Sequence, residues 1–183
     1  MFHVEDKEIE AKGGGPAPRK LKGGFMADSI LKGKSILIVD DEADVLQVLE
    51  DEIHAACADC TIDRATTYEK AAELLGSKEY GVVVLDIMGV RGFDLLELAV
   101  NRGFKVAMLT AHALTPEALK KSHDLGARAY LPKDKLGEIV PFLEDMLTYE
   151  YKTGWKRLLH KLENYFEDRF EPGWRGQSGI NYW

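Results

Sequence analysis

Short apolar runs alternate with longer amphipathic segments from Ser35 to about Leu147. The apolar runs predict five strands, at 36–39, 61–63, 82–85, 106–109 and 129–131, of which the second is the weakest. Three of these runs are apolar throughout and do not alternate with polar residues, which is typical of strands buried on both faces of a parallel sheet.

The segments between the runs carry apolar residues at steps of three and four, the spacing of one face of an α-helix. Thr115 and Pro116 supply a start signal for one of them, an N-cap followed by a proline in the first helical turn. Five strand–helix repeats within about 115 residues predict a doubly wound α/β domain with right-handed crossovers. In the flavodoxin-like strand order 2-1-3-4-5, strands one and three are neighbours at the switch point.

The two flanks differ from this central domain, which we predict to span 34–148. Residues 1–33 contain the run Gly13-Gly14-Gly15-Pro16-Ala17-Pro18 and scattered lysines without a hydrophobic period, so they are expected to form a flexible leader, within which Met26 is an alternative start. Residues 149–183 begin with an amphipathic stretch and end in an irregular tail rich in glycine and tryptophan.

The amphipathic stretch repeats apolar and aromatic residues at helical spacing, namely Trp155, Leu158, Leu159, Leu162, Tyr165, Phe166 and Phe170. About 35 residues are too few for a winged-helix effector and short for a helix-turn-helix unit. Two alternatives stay open: a helix folded back to complete the domain core, or a helix that docks a partner or forms a homodimer through its aromatic stripe.

Composition narrows the class of protein. The 183 residues are 45% hydrophobic and carry a net charge of −7, from 24 basic and 31 acidic residues. This balance argues against binding through general nucleic-acid electrostatics. The chain has no apolar run near the ~20 residues that span a bilayer and no signal-peptide core, so we expect a cytoplasmic protein without a membrane partner. Two cysteines do not make a disulfide scaffold.

Polar residues follow four of the predicted strands. Asp40, Asp41 and Glu42 follow the first strand, Asp86 the third, Thr110 the fourth, and Lys133 the fifth after one proline. In a doubly wound sheet the carboxyl ends of the strands meet at one edge, where ligands bind. The order 2-1-3-4-5 therefore brings carboxylates, a hydroxyl and an ammonium together.

This set of groups favours phosphoryl chemistry with Mg²⁺. Clustered carboxylates have raised pKa values unless a cation lies among them, and oxygen ligands of this kind suit Mg²⁺. Asp86 is the expected nucleophile, with Lys133 and Thr110 holding the oxygens of the transferred group. Taken separately, each residue has a plainer interpretation: an acidic helix start, a surface lysine and a strand-end hydroxyl.

Four motifs across roughly residues 35–147 resemble the response regulator receiver family of two-component systems. They are Ile36-Leu37-Ile38-Val39-Asp40-Asp41-Glu42, Val82-Val83-Val84-Leu85-Asp86-Ile87-Met88, Met108-Leu109-Thr110-Ala111 and Gly126-Ala127-Arg128-Ala129-Tyr130-Leu131-Pro132-Lys133. The resemblance implies that a histidine kinase or phosphotransfer protein donates a phosphoryl group to Asp86, with self-catalysed dephosphorylation and no other enzyme activity. It further implies a metal site of Asp40, Asp41, Asp86 and the Met88 carbonyl, and a switch formed by Thr110 and Tyr130.

Two features depart from the common pattern of that family. The loop after Asp86 lacks the proline that many receivers carry four residues after the acceptor, and Asp134 stands where many have a proline after the lysine. No cis peptide is therefore expected after Lys133.

Other residues are weaker candidates. Cys57 and Cys60, near His54, lack the further ligands of a zinc site, and small buried residues are the default interpretation. His112 lies two residues after Thr110 and either tunes the access of water to the site or is a solvated loop residue.

The sequence is thus interpreted as a stand-alone response regulator that acts through protein–protein contacts rather than DNA. One rival is a receiver-shaped interaction module that works without phosphorylation. Another is a phosphatase or other hydrolase, but such an enzyme needs an acid–base group near its nucleophile, and Met88 cannot serve.

Overall fold

Five parallel strands form the sheet that the apolar runs predict. The computed structural model describes residues 29–111 and 114–182. The strand order is β2-β1-β3-β4-β5, so the predicted flavodoxin-like order is confirmed. The strands are β1 (Ser35–Val39), β2 (Thr61–Ala65), β3 (Val82–Asp86), β4 (Val106–Thr110) and β5 (Ala129–Pro132).

Seven α-helices and one 3₁₀ segment accompany the strands in the described residues. They are α1 (Ala43–Ala56), α2 (Tyr68–Ser77), α3 (Gly92–Asn101), α4 (Pro116–Asp124), a 3₁₀ segment (Lys133–Glu138), α5 (Ile139–Thr148), α6 (Tyr151–Glu167) and α7 (Trp174–Ser178). The Thr115 side chain accepts a hydrogen bond from the Ala118 backbone N–H at 3.1 Å, so the predicted N-cap of α4 is formed. No peptide bond in the described residues is cis, in agreement with Asp134 after Lys133.

Burial follows the position of each strand in the sheet. Every residue of β3 and β4 is buried, as the unbroken apolar runs predict for strands covered on both faces. The edge strand β2 keeps most of its residues partly or fully exposed, which explains why its apolar run is weak. On β2, Asp63 accepts hydrogen bonds from Lys78 and from the Tyr80 hydroxyl, the latter at 2.7 Å.

The C-terminal residues fold back onto the domain. α6 packs against α5 and β5, and α7 packs against α4. Trp155 and Phe166 are fully buried, which agrees with the alternative of a helix that completes the core. α7, with its buried Trp174, lies within the stretch that we predicted to be irregular, and this expectation is wrong for Trp174–Ser178 because the tryptophan packs against Phe166 and Phe170.

The reversal between α5 and α6 is held by two cationic side chains, each of which directly precedes a strand of the sheet. Arg128 donates to the Tyr149 carbonyl at 2.7 Å, and Lys105 donates to the Leu147 carbonyl at 3.1 Å. These carbonyls belong to the last turn of α5 and its C-cap, where no partner exists inside the helix. The two side chains therefore fix where α6 begins.

The end of the predicted leader is part of the fold. Residues 1–28 lie outside the described residues, as do His112 and Trp183. Leu31 is fully buried, and the Ser29 hydroxyl donates to Glu144 of α5 at 2.7 Å. Residues 29–33 are thus packed against the domain, contrary to the prediction of a flexible leader up to 33.

Cys57 and Cys60 are both buried, as expected, but they are joined in a disulfide rather than being separate small residues. The pair closes the turn between α1 and β2. The Cys60 sulfur also lies 3.0 Å from the Leu31 carbonyl oxygen. The pair therefore stands at the junction between the end of α1 and residues 29–33.

Candidate functional site

The carboxyl ends of the central strands bring the predicted polar residues to one edge of the sheet. Val39 pairs with Leu85, so Asp40 and Asp86 extend from neighbouring strands, and Thr110 ends the next strand. Asp40, Asp86 and Thr110 are only 0%, 3% and 1% exposed. Charged groups are rarely so deeply buried unless they are paired or bind a cation.

Three carboxylates converge at this edge. One oxygen from each of Asp40, Asp41 and Asp86 lies within 4.8 Å of the others. Asp41 is exposed, and it forms one wall of a cleft of about 220 Å³. The lining residues of this cleft are Asp41, Glu42, Asp86, Met88, Gly89, Ala111 and Lys133. The predicted carboxylates therefore meet in a space that is open to a ligand.

Lys133 is the positive group of the cleft. Its Nζ lies 2.8 Å from Asp40 Oδ2, 2.8 Å from Glu42 Oε1 and 3.3 Å from Asp86 Oδ1. Its side chain is only 11% exposed, although it follows directly on the last strand. One ammonium thus faces several carboxylates, and the cleft retains negative charge.

The sequence predicted no role in the site for two participants, Glu42 and Gly89. Glu42 binds Lys133, and its backbone N–H donates to Asp40 Oδ1 at 3.0 Å; its place beside the two aspartates was a signal that it belonged to the cluster. Gly89 has a φ of +62°, and a Cβ there would overlap the Asp41 carboxylate. Only a glycine lets the loop after Asp86 approach Asp41 so closely.

The pKa values of the buried groups reflect burial and crowding. Burial raises the pKa of Asp86 to about 6, with the Asp40 charge adding to the effect and Lys133 opposing it. Burial also raises the pKa of Asp40, although the hydrogen bond from Lys133 opposes it. Burial alone lowers the pKa of Lys133, but its bonds to Asp40 and Glu42 outweigh that effect and raise the pKa. Lys133 therefore stays charged at neutral pH.

The donor set suits a hard divalent cation. Three carboxylates with one compensating ammonium provide oxygen ligands and excess negative charge, as Mg²⁺ requires. The Met88 carbonyl, the fourth predicted ligand, accepts a hydrogen bond from the Val90 backbone N–H and keeps a second lone pair. The Met88 side chain is 53% exposed at the rim of the cleft.

Thr110 and Tyr130, the predicted switch residues, lie next to each other behind the cleft. Tyr130 is fully buried on β5, and burial raises its pKa although hydrogen bonds from the Thr115 backbone and the Thr110 side chain oppose the shift. Thr110 ends β4 and Tyr130 lies on the neighbouring strand β5, where Met108 pairs with Tyr130 and Thr110 with Pro132. His112 falls outside the described residues, so its predicted role stays a prediction.

A family model named response regulator receiver domain matches residues 36–143, more than half of the chain. The chain belongs to this family. The match spans all five strands and the whole carboxylate cleft, so the protein is a receiver of the two-component response regulator type.

Solved receivers share the fold. The BeF3-activated DrrB receiver domain is 21% identical, with a TM-score of 0.54 over 63% of this chain and 98% of that one. A putative response regulator from Chloroflexus aurantiacus is 24% identical, with a TM-score of 0.55 over 63% of this chain and 98% of that one. The N-terminal domain of a response regulator/sensory box/GGDEF protein from Carboxydothermus hydrogenoformans is 26% identical, with a TM-score of 0.52 over 62% of this chain and 94% of that one.

No curated protein sequence matches the receiver. Among the residues that the structure describes, no helix is long and apolar enough to span a membrane. Receivers of this family interact with kinases or other proteins in general.

Replacing Gly89 by alanine is expected to weaken Mg²⁺ binding by at least tenfold, because the new Cβ pushes the Asp41 carboxylate out of the cluster. Calorimetric titration of Mg²⁺ measures the effect. Gly103→Ala is the matched control, since Gly103 also has a positive φ, +79°, but has nothing near its Cβ position. Equal losses in both variants would attribute the effect to backbone strain rather than to Asp41.

Asp86 is expected to make the stability of the metal-free receiver depend on pH. Its pKa is about 6 in the folded protein against an ordinary value of 3.8, so the folded state holds a proton that the unfolded chain has released. The resulting stability is present below about pH 4 and is lost as the pH rises through 6. Asp86→Asn should therefore raise the free energy of unfolding at pH 7 by about 2–3 kcal/mol and have little effect near pH 4. Urea unfolding in a chelator tests this, and a variant no more stable than the parent at pH 7 contradicts it.

Proposed function

We propose that this receiver accepts a phosphoryl group on Asp86 from a histidine kinase or phosphotransfer protein and passes the signal on through protein–protein contacts. The observation that carries the proposal is the Asp86 carboxylate at the cleft, 3.3 Å from Lys133 and clustered with Asp40 and Asp41. A nucleophile, a cation that compensates charge and a potential metal site are thus in one place.

In the proposed step, an Asp86 oxygen attacks the phosphorus atom and forms a P–O bond while the bond from phosphorus to the donor breaks. The donor imidazole leaves with the electron pair of that bond and takes up a proton. With a pKa of about 6, Asp86 is mostly ionised at neutral pH, as the attack requires. The result is an aspartyl phosphate and a regenerated donor histidine.

Charge on the transferring group must be balanced by the receiver. Asp40, Asp41, Asp86 and the Met88 carbonyl are the residues that would hold Mg²⁺, which when bound neutralises phosphoryl oxygens. Lys133 is placed to turn from the carboxylates toward a phosphoryl oxygen on Asp86, and the Thr110 hydroxyl is the second donor. The proposed roles use groups that the fold already holds in position.

The receiver has no further enzymatic role in this proposal. Loss of the phosphoryl group occurs by attack of water on the acyl phosphate, assisted by the same site. Met88 at the rim supplies no acid or base, so the rival of a dedicated hydrolase is disfavoured.

The proposed cellular compartment follows from the phosphoryl donor. A kinase that uses ATP works in the cytoplasm, which we propose for this protein. In that reducing compartment, the disulfide between Cys57 and Cys60 is expected to be reduced to two thiols. The net charge of −7 favours a protein rather than a nucleic acid as the downstream partner.

A small-molecule phosphodonor tests the proposal without the kinase. Incubation with acetyl phosphate and Mg²⁺ is expected to add one phosphoryl group, visible by intact mass spectrometry, and a chelator should prevent the gain. Asp86→Asn should abolish it, whereas Asp63→Asn, which changes an aspartate that pairs with Lys78 away from the cleft, should not. No Mg²⁺-dependent gain on the parent protein would favour a module that works without phosphorylation.

A further inference from the structure

Residues 149–182, called the C-terminal segment below, wrap around the β5 edge of the sheet. Within residues 29–111 and 114–182, β5 has only β4 as a neighbouring strand, and the segment runs from α5 on one side to α4 on the other. Trp155 and Phe166 of this segment are fully buried. The C-terminal segment therefore covers an edge of the sheet.

The N-terminal half of α6, residues 151–158 and called the near half below, is anchored at the end of β5 that points away from the cleft. The Trp155 indole N–H donates to the Ala127 carbonyl at 2.8 Å, and the Tyr151 hydroxyl donates to the His123 carbonyl. Both acceptors precede β5 in the chain. This half of the helix has its anchors far from the polar residues that follow the strands.

The C-terminal half of α6, residues 160–167 and called the far half below, contacts the residues that flank the cleft. The Phe166 ring packs at 6.4 Å between ring centres against Tyr130 on β5, the strand that pairs with β4 and its terminal residue Thr110. Phe166 in turn stacks on Phe170 at 5.1 Å. Tyr130, one of the two predicted switch residues, is thus in direct contact with the end of α6.

A second link passes through the residue after Lys133. The Tyr165 hydroxyl donates to Asp134 Oδ2 at 2.8 Å, and the Arg169 guanidinium lies 3.5 Å from the same oxygen. Asp134 is exposed, so its ion pair alone stabilises little. Its significance is its position, because a movement of Lys133 displaces Asp134 with it.

We propose that the far half of α6 is held down by the unphosphorylated site and loosens when Asp86 carries a phosphoryl group. The inference rests on the proposed function. When Lys133 and Thr110 turn to the phosphoryl oxygens, the packing of Phe166 on Tyr130 is disturbed and Asp134 is drawn away from Tyr165. The near half keeps its anchors at His123 and Ala127, so the helix opens from its C-terminal end.

Hydrogen exchange of the full-length protein tests the inference directly. Beryllium trifluoride with Mg²⁺ is the probe, because it mimics a phosphoryl group on a carboxylate. Amides at 160–167 are expected to exchange at least fivefold faster with the probe, while amides at 151–158 keep their rates. Binding of the probe is measured separately by calorimetry on the same sample.

A matched pair of variants tests the reciprocal effect. If the site loosens the far half, then weakening the far half must tighten binding at the site by the same factor. Tyr165→Phe removes the hydroxyl that bonds Asp134 and should tighten binding of beryllium trifluoride about two- to fivefold. Tyr151→Phe removes the equivalent hydroxyl at the near end and should leave that affinity within a factor of about two, because the near half does not respond to the site.

The possible outcomes separate the two proposals. Probe binding with faster exchange confined to 160–167 supports the inference. Probe binding with unchanged exchange, or with equal acceleration of both halves, overturns the inference and leaves the proposed function intact. Failure of the probe to bind overturns both the inference and the proposed function.

Discussion

Truncation of Trp155 to alanine is expected to lower the free energy of unfolding by about 3–5 kcal/mol. The side chain is fully buried between α6 and the sheet edge, packs edge-on against His123 at 5.1 Å, and donates to the Ala127 carbonyl. Its removal leaves a cavity and an unsatisfied carbonyl. Urea unfolding at neutral pH measures the loss.

Trp155→Phe is the control for that prediction. It keeps most of the packing and deletes the indole donor. The lost hydrogen bond should lower the free energy of unfolding by only about 1 kcal/mol, and the smaller ring adds a further loss of packing. Leu98, which is 40% exposed on α3, should tolerate alanine with little change. If Trp155→Ala costs no more than Leu98→Ala, the C-terminal segment does not contribute to the core as the structure implies.

Lys133→Ala is expected to be the most destabilising change in the cleft, costing about 3–5 kcal/mol at pH 7 in the absence of metal. It leaves the buried Asp40 and Asp86 carboxylates without their shared cation. The penalty should shrink as the pH falls, because protonation of the two aspartates removes the uncompensated charge. Mg²⁺ should restore part of the stability by taking the place of the ammonium.

Denaturation of this variant at two pH values, with and without Mg²⁺, tests the prediction. Lys78→Ala is the matched control, because Lys78 binds the exposed edge residue Asp63 and its loss should cost less than about 1 kcal/mol at either pH. A Lys133→Ala variant whose loss is independent of pH and metal would mean that the ammonium does not neutralise the buried pair.

The sheet could be predicted because its signal is local. Strands such as β3 and β4 are buried on both faces, so their apolar runs stand out without a partner to compare. Once the strand order is known, the residues after each strand must share an edge. The meeting of Asp40, Asp86, Thr110 and Lys133 therefore followed from the sequence.

Other features depend on contacts between residues distant in sequence and had no local signal. The burial of Leu31 requires the pocket formed by the folded domain, and the helix around Trp174 requires Phe166 and Phe170 beneath it. Neither spacing nor composition encodes these contacts, so a flexible leader up to 33 and an irregular tail were the natural expectations.

The position of the phosphoryl group shows whether Asp86 is the acceptor. Borohydride reduces an acyl phosphate to an alcohol and so marks the acceptor permanently. After treatment with acetyl phosphate and Mg²⁺, reduction and peptide mapping by mass spectrometry should place the mark on Asp86 alone. A mark on Asp40, Asp41 or a carboxylate outside the cleft, or no mark at all, would contradict Asp86 as the phosphoryl acceptor.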